Sequence, residues 1–330
     1  MKLAMIGSYG HWNLAANSAR AAGLELVAAA KWGEADPLPY AADRDGLAVY
    51  EADDWAKMLD EHAPDVVGVF TPLYRLAEAS RLAVERGCHV LSEKPLATTR
   101  EDLAELRAAV DAAGVQVSAC FNMRGMPSYR AARNAVADGR IGRPVLVSGQ
   151  KSYPFARRDD FYKRRETYGG SIPWAAIHAI DFVRWCSGQE YTRVAAMHSN
   201  AAHPAHGGME DNGAMLFGLS GGGHATVRFD YLRPWEESRR GERRWGDDRL
   251  RIVGTEGIVE VVDEGARAVL MTPTDVADLP PEAPADVLVS LAAAIRGEGE
   301  PLVSTADSFR VTDVALRARD AADAGQIVEL

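Results

Sequence analysis

Three cysteines in 330 residues, Cys88, Cys120 and Cys186, are too few and too irregularly spaced to build a disulfide framework or a paired metal-ligand motif. They suit a reducing compartment. No apolar run approaches the ~20 residues that a bilayer demands, so no membrane-spanning helix is expected. The first apolar stretch, Lys2-Leu3-Ala4-Met5-Ile6, meets Gly7 before a signal-peptide core could develop, which makes the cytoplasm the expected location. Excess positive charge is lacking too: 37 Lys and Arg against 47 Asp and Glu leave a net charge of −10, the wrong sign for displacing counterions from nucleic-acid phosphates. Two local basic runs remain, Arg157-Arg158 with Lys163-Arg164-Arg165, and Arg239-Arg240 with Arg243-Arg244. Interleaved with acids and aromatics, they read as solvated loops or as a pocket rim that attracts an anionic group.

What is present points to two cores, since domains cluster near about 100–200 residues. Through the first third, short apolar strands alternate with alanine-rich helical stretches. Strands are expected at Leu3 to Ile6, Glu25 to Ala30, Asp65 to Phe70, Cys88 to Ser92 and Gln116 to Ala119, with helices at Asn13 to Ala22, Asp54 to Glu61, Leu76 to Arg86 and Arg100 to Ala113. Such βαβ alternation forces right-handed crossovers and a parallel sheet covered on both faces, a doubly wound nucleotide-binding α/β fold. From about Phe121 the texture changes. A helix at Pro127 to Ala137 and another around Ile177 to Cys186 are followed by strands at Arg193 to His198, Asn212 to Leu219, Gly223 to Asp230, Arg249 to Val253, Gly257 to Val262 and Ala268 to Met271. Glycine turns such as Gly221-Gly222-Gly223 join neighbours in this series and predict a mainly antiparallel sheet. The expected division is residues 1–121 as a dinucleotide-binding domain and 122–330 as an α+β domain for substrate binding and oligomerisation, with an open sheet that needs covering and so predicts a homodimer or homotetramer.

The run Gly87-Cys88-His89-Val90-Leu91-Ser92-Glu93-Lys94-Pro95 is the most informative stretch. It ends an apolar strand in Lys94, at the carboxyl edge where open α/β sheets bind ligands. Lys94 reads either as a salt-bridged lysine at a strand end or as a group that hydrogen-bonds a substrate oxygen and moves its proton. The turn Gly7-Ser8-Tyr9-Gly10 follows the first strand, where a helix amino terminus would meet a pyrophosphate. It carries Tyr9 and Trp12 at the third and sixth positions, where the dinucleotide fingerprint has glycine. The second strand ends in Lys31 rather than the usual ribose-binding acid, a residue suited to a 2′-phosphate, and Trp32 beside it could stack on adenine. The cofactor expected first is therefore NADP, with NAD the alternative.

Taken in order, several segments resemble one family. They are the amino-terminal glycine turn, Thr71-Pro72, Gly87 to Pro95, Gly139-Arg140-Ile141-Gly142, Gly169-Gly170 to His178-Ala179-Ile180-Asp181, and Arg249 to Gly257. Together they are similar to the glucose-fructose oxidoreductase, inositol dehydrogenase and rhizopine-catabolism oxidoreductases. The resemblance implies a Rossmann domain, a second domain with an open sheet, and hydride exchange between NAD or NADP and a sugar, cyclitol or related polyol. Beside Lys31 and Trp32 at the second strand's end, it implies a cofactor site of Gly7, Ser8, Tyr9, Gly10, Thr71, Pro72, Glu93 and Lys94, with Lys94 contacting nicotinamide and substrate and a cis bond before Pro95. It also implies that His178 takes the hydroxyl proton.

Three departures stand out. Trp174 occupies the position, four residues before His178, of an expected aspartate; an indole is neither acid nor base and would stack on a sugar face instead. Leu73 replaces an expected asparagine, and a histidine shortly beyond it is missing. Proton chemistry then rests on Lys94 and His178, with Tyr168 or Tyr162 as further donors and Asp181 to orient the imidazole. Arg157, Lys163, Arg164 and Arg165 are candidates for reading an acidic substituent. The group His198, His203 and His206 lacks metal-ligand spacing, so no metal is expected. An alternative function is a non-catalytic sugar- or nucleotide-binding regulator with a partly lost site. Another is a glycosidase that uses NAD transiently.

Overall fold

The computed structural model describes residues 1–42, 44, 46–155, 158–234 and 247–330. Arg157, Arg239, Arg240, Arg243 and Arg244 lie outside the described residues. Two compact units divide the chain: Met1–Asn122 with Ala285–Thr312, and Met123–Pro284 with Asp313–Leu330.

The first unit is built on six strands, β1 (Lys2–Ile6), β2 (Glu25–Ala30), β3 (Ala48–Tyr50), β4 (Val66–Val69), β5 (His89–Ser92) and β6 (Val117–Ala119). They pair in parallel in the order β3-β2-β1-β4-β5-β6. All four residues of β4 are buried, the continuous apolar run of a strand covered on both faces. The helices of the Met1–Asn122 part of this unit include α1 (Trp12–Ser18), α2 (Pro39–Ala42), α3 (Trp55–His62), α4 (Leu76–Val84) and α5 (Arg100–Ala113). α5 has its ends written in the sequence: Thr99 accepts the Asp102 N–H at the start, and Gly114 turns left-handed at φ 66° to stop it. Strand order reverses about β1, so the carboxyl ends of β1 and β4 form the switch point where this architecture binds ligands.

The second unit contains α6 (Pro127–Ala137), β7 (Pro144–Ser152), α7 (Arg165–Tyr168), α8 (Ile177–Ser187), β8 (Tyr191–Ser199), β9 (Asn212–Leu219), β10 (His224–Asp230), β11 (Arg249–Gly254), β12 (Ile258–Val262), β13 (Arg267–Met271) and β14 (Val276–Asp278). After α9 (Val287–Ile295) and α10 (Thr305–Ala324), β15 (Val328–Glu329) completes a nine-stranded sheet, ordered β14-β13-β12-β11-β7-β10-β9-β8-β15. The pairs are antiparallel except β7 with β10, which run parallel. Burial alternates with period two along β9 and β10, so one face is core and the other open. α8 lies close against β7: a Cβ on Gly149 would come within 2.5 Å of Val183 Cγ2 and 3.2 Å of Phe182.

The segment Ala285–Thr312 lies with Met1–Asn122 in the first unit. The reason lies in edge strand β6. Its Val117 and Ala119 N–H groups donate to the Thr305 and Ser308 hydroxyls at 2.9 and 3.0 Å, and the Ser118 hydroxyl donates to the Val303 carbonyl at 2.6 Å. Side chains of α10 and the turn before it thus satisfy an edge that would otherwise stay unpaired.

Candidate active site

The carboxyl edge of the first unit's sheet gathers the expected cofactor residues. Gly7 closes β1 at φ +83°, where a Cβ would sit 2.3 Å from the Phe70 carbonyl oxygen, so no other residue fits. Tyr9 donates its N–H to the same carbonyl at 2.7 Å, binding the glycine turn to the end of β4. The Trp12 ring packs against Tyr40, with centroids 5.3 Å apart, and the Tyr40 hydroxyl donates to the Gly7 carbonyl at 2.9 Å. The aromatic at the sixth fingerprint position is thereby accommodated against α2.

At the end of β2, Lys31 Nζ lies 2.9 Å from Glu51, and Arg75 donates to the Trp32 carbonyl at 2.9 Å while its guanidinium stacks 4.0 Å over the Trp55 ring. The Trp32 ring borders the glycine turn, its Cδ1 3.3 Å from where a Gly7 Cβ would be. An acid missed in the sequence, buried Asp36, accepts the Ser8 hydroxyl and the N–H groups of Trp32 and Leu38. Arg75 was missed as well. Neither carries a motif, and each acts through a fold contact rather than through spacing.

Thr71 and Pro72 follow β4; Thr71 is buried and its hydroxyl donates to the Pro72 carbonyl at 3.1 Å. Leu73, in the expected asparagine position, is buried too. Glu93 and Lys94 end β5, and the Lys94–Pro95 bond is cis. Glu93 is fully buried, and Lys94 is nearly so. The carboxylate accepts the His11 N–H at 2.7 Å, lies 2.9 Å from His11 Nδ1, accepts the Lys94 N–H at 3.1 Å and stands 3.8 Å from Lys94 Nζ. Burial pushes the Glu93 carboxyl up, but the His11 ring, the Lys94 ammonium and the His11 amide together hold it below the ordinary glutamate range.

In the second unit His178 is the second residue of α8 and only 3% exposed. A π-helical turn, Ile172–Ala176, precedes α8 and carries Trp174; such wide turns recur at functional sites. Trp174 meets Tyr162 edge-on at 6.5 Å, and Tyr162 packs on Tyr168 at 4.7 Å. Both tyrosines are buried. The Tyr168 hydroxyl donates to Ser171 at 2.9 Å and lies 3.2 Å from that of Tyr231, while burial drives its pKa well above the ordinary value. Arg158 lies over the Tyr231 and Tyr162 rings at 4.4 and 5.3 Å.

Asp181, expected to orient His178, forms a buried ion pair with Arg124, 2.6 Å from Nη2 and 3.1 Å from Nε. Lys163 pairs with its neighbour Asp160 at 2.7 Å on the surface, and Arg165 bonds Glu210 and Asp323. His198 meets Glu210 and Asp323 rather than the other two histidines, which flank Phe155; the Arg165 guanidinium already answers both of those acids.

Glycine at β1, cations at β2, Thr71 at β4 and the Glu93-Lys94 turn at β5 together fit a dinucleotide lying across the edge of the sheet. The close approach that only Gly7 permits fits it as well. The first unit is thus a doubly wound, NAD-binding Rossmann domain. Residues 1–121 match the oxidoreductase family with NAD-binding Rossmann fold, and residues 129–260 match the GFO/IDH/MocA C-terminal domain. The 1,5-anhydro-D-fructose reductase of Ensifer adhaerens is 29% identical over 285 residues, 81% of this chain and 80% of that protein. The solved structure of a provisionally assigned oxidoreductase from Thermotoga maritima is 34% identical at a TM-score of 0.92, with 100% of each chain covered. An inositol dehydrogenase homologue from Azotobacter vinelandii, solved with NAD+, shares the fold at a TM-score of 0.84 and 18% identity, covering 100% of this chain and 97% of that one. The chain belongs to the GFO/IDH/MocA family and is an NAD(P)-dependent oxidoreductase acting on CH–OH groups.

Proposed function

We propose that the chain exchanges hydride between NADP, in preference to NAD, and a CH–OH carbon of a sugar, cyclitol or related polyol. The observation that carries this reading is the meeting of Gly7, Lys31, Thr71 and the Glu93-Lys94 turn on one edge of one parallel sheet. When bound, the nicotinamide takes or gives hydride at C4. In oxidation the substrate carbon loses that hydride and its hydroxyl loses a proton, leaving a carbonyl. Lys94 hydrogen-bonds the reacting oxygen and offsets the charge that develops on it. His178 takes the proton, and returns it in the reverse direction. Trp174, backed by Tyr162 and Tyr168, offers a ring that stacks on a sugar's C–H face. The reductase relative, named for 1,5-anhydro-D-fructose, supports a carbohydrate substrate.

Lys31 and Arg75 supply two cations around the end of β2, which supports the 2′-phosphate reading; a phosphate there draws Lys31 from Glu51. Titration of the seven tryptophans with NADPH and NADH tests it. Lys31→Ala is expected to weaken NADPH binding by about tenfold, close to 1.4 kcal/mol, and leave NADH unchanged. Equal binding of both cofactors by the native protein would reject the preference. For the chemistry, 1,5-anhydro-D-fructose with NADPH and myo-inositol with NADP+ are the first substrates to try. Lys94→Ala and His178→Ala are each expected to lower turnover about a hundredfold or more with cofactor affinity kept.

Self-association as a homodimer or homotetramer completes the reading, with the open face of the nine-stranded sheet as the contact. Three buried thiols suit a reducing, cytoplasmic setting.

A further inference from the structure

A carboxylate with no exposed surface needs more hydrogen bonds and counter-charge than a single lysine provides. Glu93 obtains them from a residue 82 positions away. His11, immediately before α1, donates its backbone N–H to Glu93 Oε2 at 2.7 Å and sets ring Nδ1 2.9 Å from each carboxylate oxygen. Gly10 makes the approach possible, since a Cβ there would lie 2.5 Å from Oε2. A carboxylate only accepts, so Nδ1 carries the proton. The glycine turn after β1 and the lysine turn after β5 thereby share one buried anion.

We propose that His11 is a positioning residue for Lys94, acting through Glu93, an inference that rests on the reading of Lys94 as the group that bonds the substrate oxygen. Glu93 and the substrate oxygen compete for the Lys94 ammonium. With His11 bonded to both carboxylate oxygens at 2.9 Å, Glu93 is satisfied and Nζ stays 3.8 Å away, beyond hydrogen-bond length. Remove the imidazole and the buried carboxylate turns to the nearest cation. Nζ then closes to about 2.8 Å, a movement of about 1 Å that withdraws it from the substrate, and a misplacement of that size at a reacting group costs about a hundredfold in rate.

The test compares His11→Phe, which keeps a ring but no donor, with His11→Gln, whose amide N–H2 reaches a carboxylate. Trace acetylation with acetic anhydride, read at Lys94 by peptide mass spectrometry, needs no substrate. An amine locked onto Glu93 holds its proton more tightly, so labelling of Lys94 is expected to slow about tenfold in His11→Phe and to recover in His11→Gln. Cofactor affinity by fluorescence is expected to change less than about threefold in both variants, while kcat with a turned-over sugar falls in the first and returns in the second. Unchanged Lys94 labelling in a His11→Phe protein that still binds cofactor would overturn the proposal. So would a loss confined to cofactor affinity with kcat intact, which would make His11 a builder of the glycine turn alone. Full turnover by Lys94→Ala would instead remove the catalytic reading on which the proposal rests.

Discussion

Arg124 and Asp181 are each only 1% exposed, and their ion pair is the plainest case of a side chain whose partner decides its role. Asp181 sits three residues beyond His178, and helix geometry alone allows it to orient the imidazole. The partner it takes comes from 57 residues away, a contact that no local spacing announces. Arg124→Met strands a buried carboxylate and is expected to cost about 3–5 kcal/mol, seen as a lower urea midpoint; Arg124→Met with Asp181→Leu is expected to recover most of it, because matched apolar groups replace a buried pair well. A second midpoint as low as the first would mean that packing, not charge, holds the two. Glu93 adds a pH dependence with a definite sign. Its native pKa lies below the ordinary 4.5, so ionisation favours the folded state. That contribution is complete above 4.5 and disappears as pH falls through the lower native value. The midpoint difference between the native protein and Glu93→Gln is expected to hold steady from neutral pH down to about 5 and to shrink below it. A difference that grows on acidification would contradict the assignment. Lys94 and its cis proline were legible at this scale because a short motif carries them; Asp36, Arg75, Arg124 and His11 were not, because tertiary contacts alone define what they do.

Elements were legible to the extent that periodicity reported burial. α6 and β9 begin and end where the sequence pattern puts them, at Pro127–Ala137 and Asn212–Leu219, since each presents a sustained apolar face bounded by turn residues. The pattern was silent on β3 and β14. Each has three residues, and β14 is exposed throughout, so neither offers an alternation to read. The parallel pairing of β7 with β10 was hidden as well, because a strand buried on one face looks the same whichever way its neighbour runs. The π turn before α8 has no sequence signature, yet it sets Trp174 against Tyr162 and leads directly into the helix of His178. How tightly α8 seats on β7 is set by Gly149, and Gly149→Val tests it. The new side chain runs into Val183 and Phe182, a clash expected to cost about 1–3 kcal/mol in urea unfolding and to lower His178-dependent turnover. Unaltered stability would mean that α8 can shift without loss.

At the scale of the whole molecule, the grouping of Ala285–Thr312 with the first unit has no sequence signature, because it depends on hydroxyls meeting the edge of β6. Among the described residues, the nine-stranded sheet leaves one face bare. A groove of about 1010 Å³ runs over it, lined by Ala195, Met197, Ala214, Leu216 and Thr226 among others. Met197 is 79% exposed, Leu216 50% and Ile327 69%, an apolar surface of the kind that marks an interaction site. The polar residues beside it come with partners on the same face: Arg251 bonds Glu260 at 2.6 Å, and Arg228 bonds Gln150 at 2.7 Å. Self-association through this face would bury the apolar strip without leaving those charges unanswered. A stable dimer needs about 800 Å² from each partner. Sedimentation of the native protein is accordingly expected to give a dimer or tetramer. Met197→Lys with Leu216→Lys, which sets two charges on that strip, is expected to give monomers that still bind cofactor through the first unit. Dimers that survive the double substitution would move the contact elsewhere on the molecule, and a native protein that sediments as a monomer would remove it.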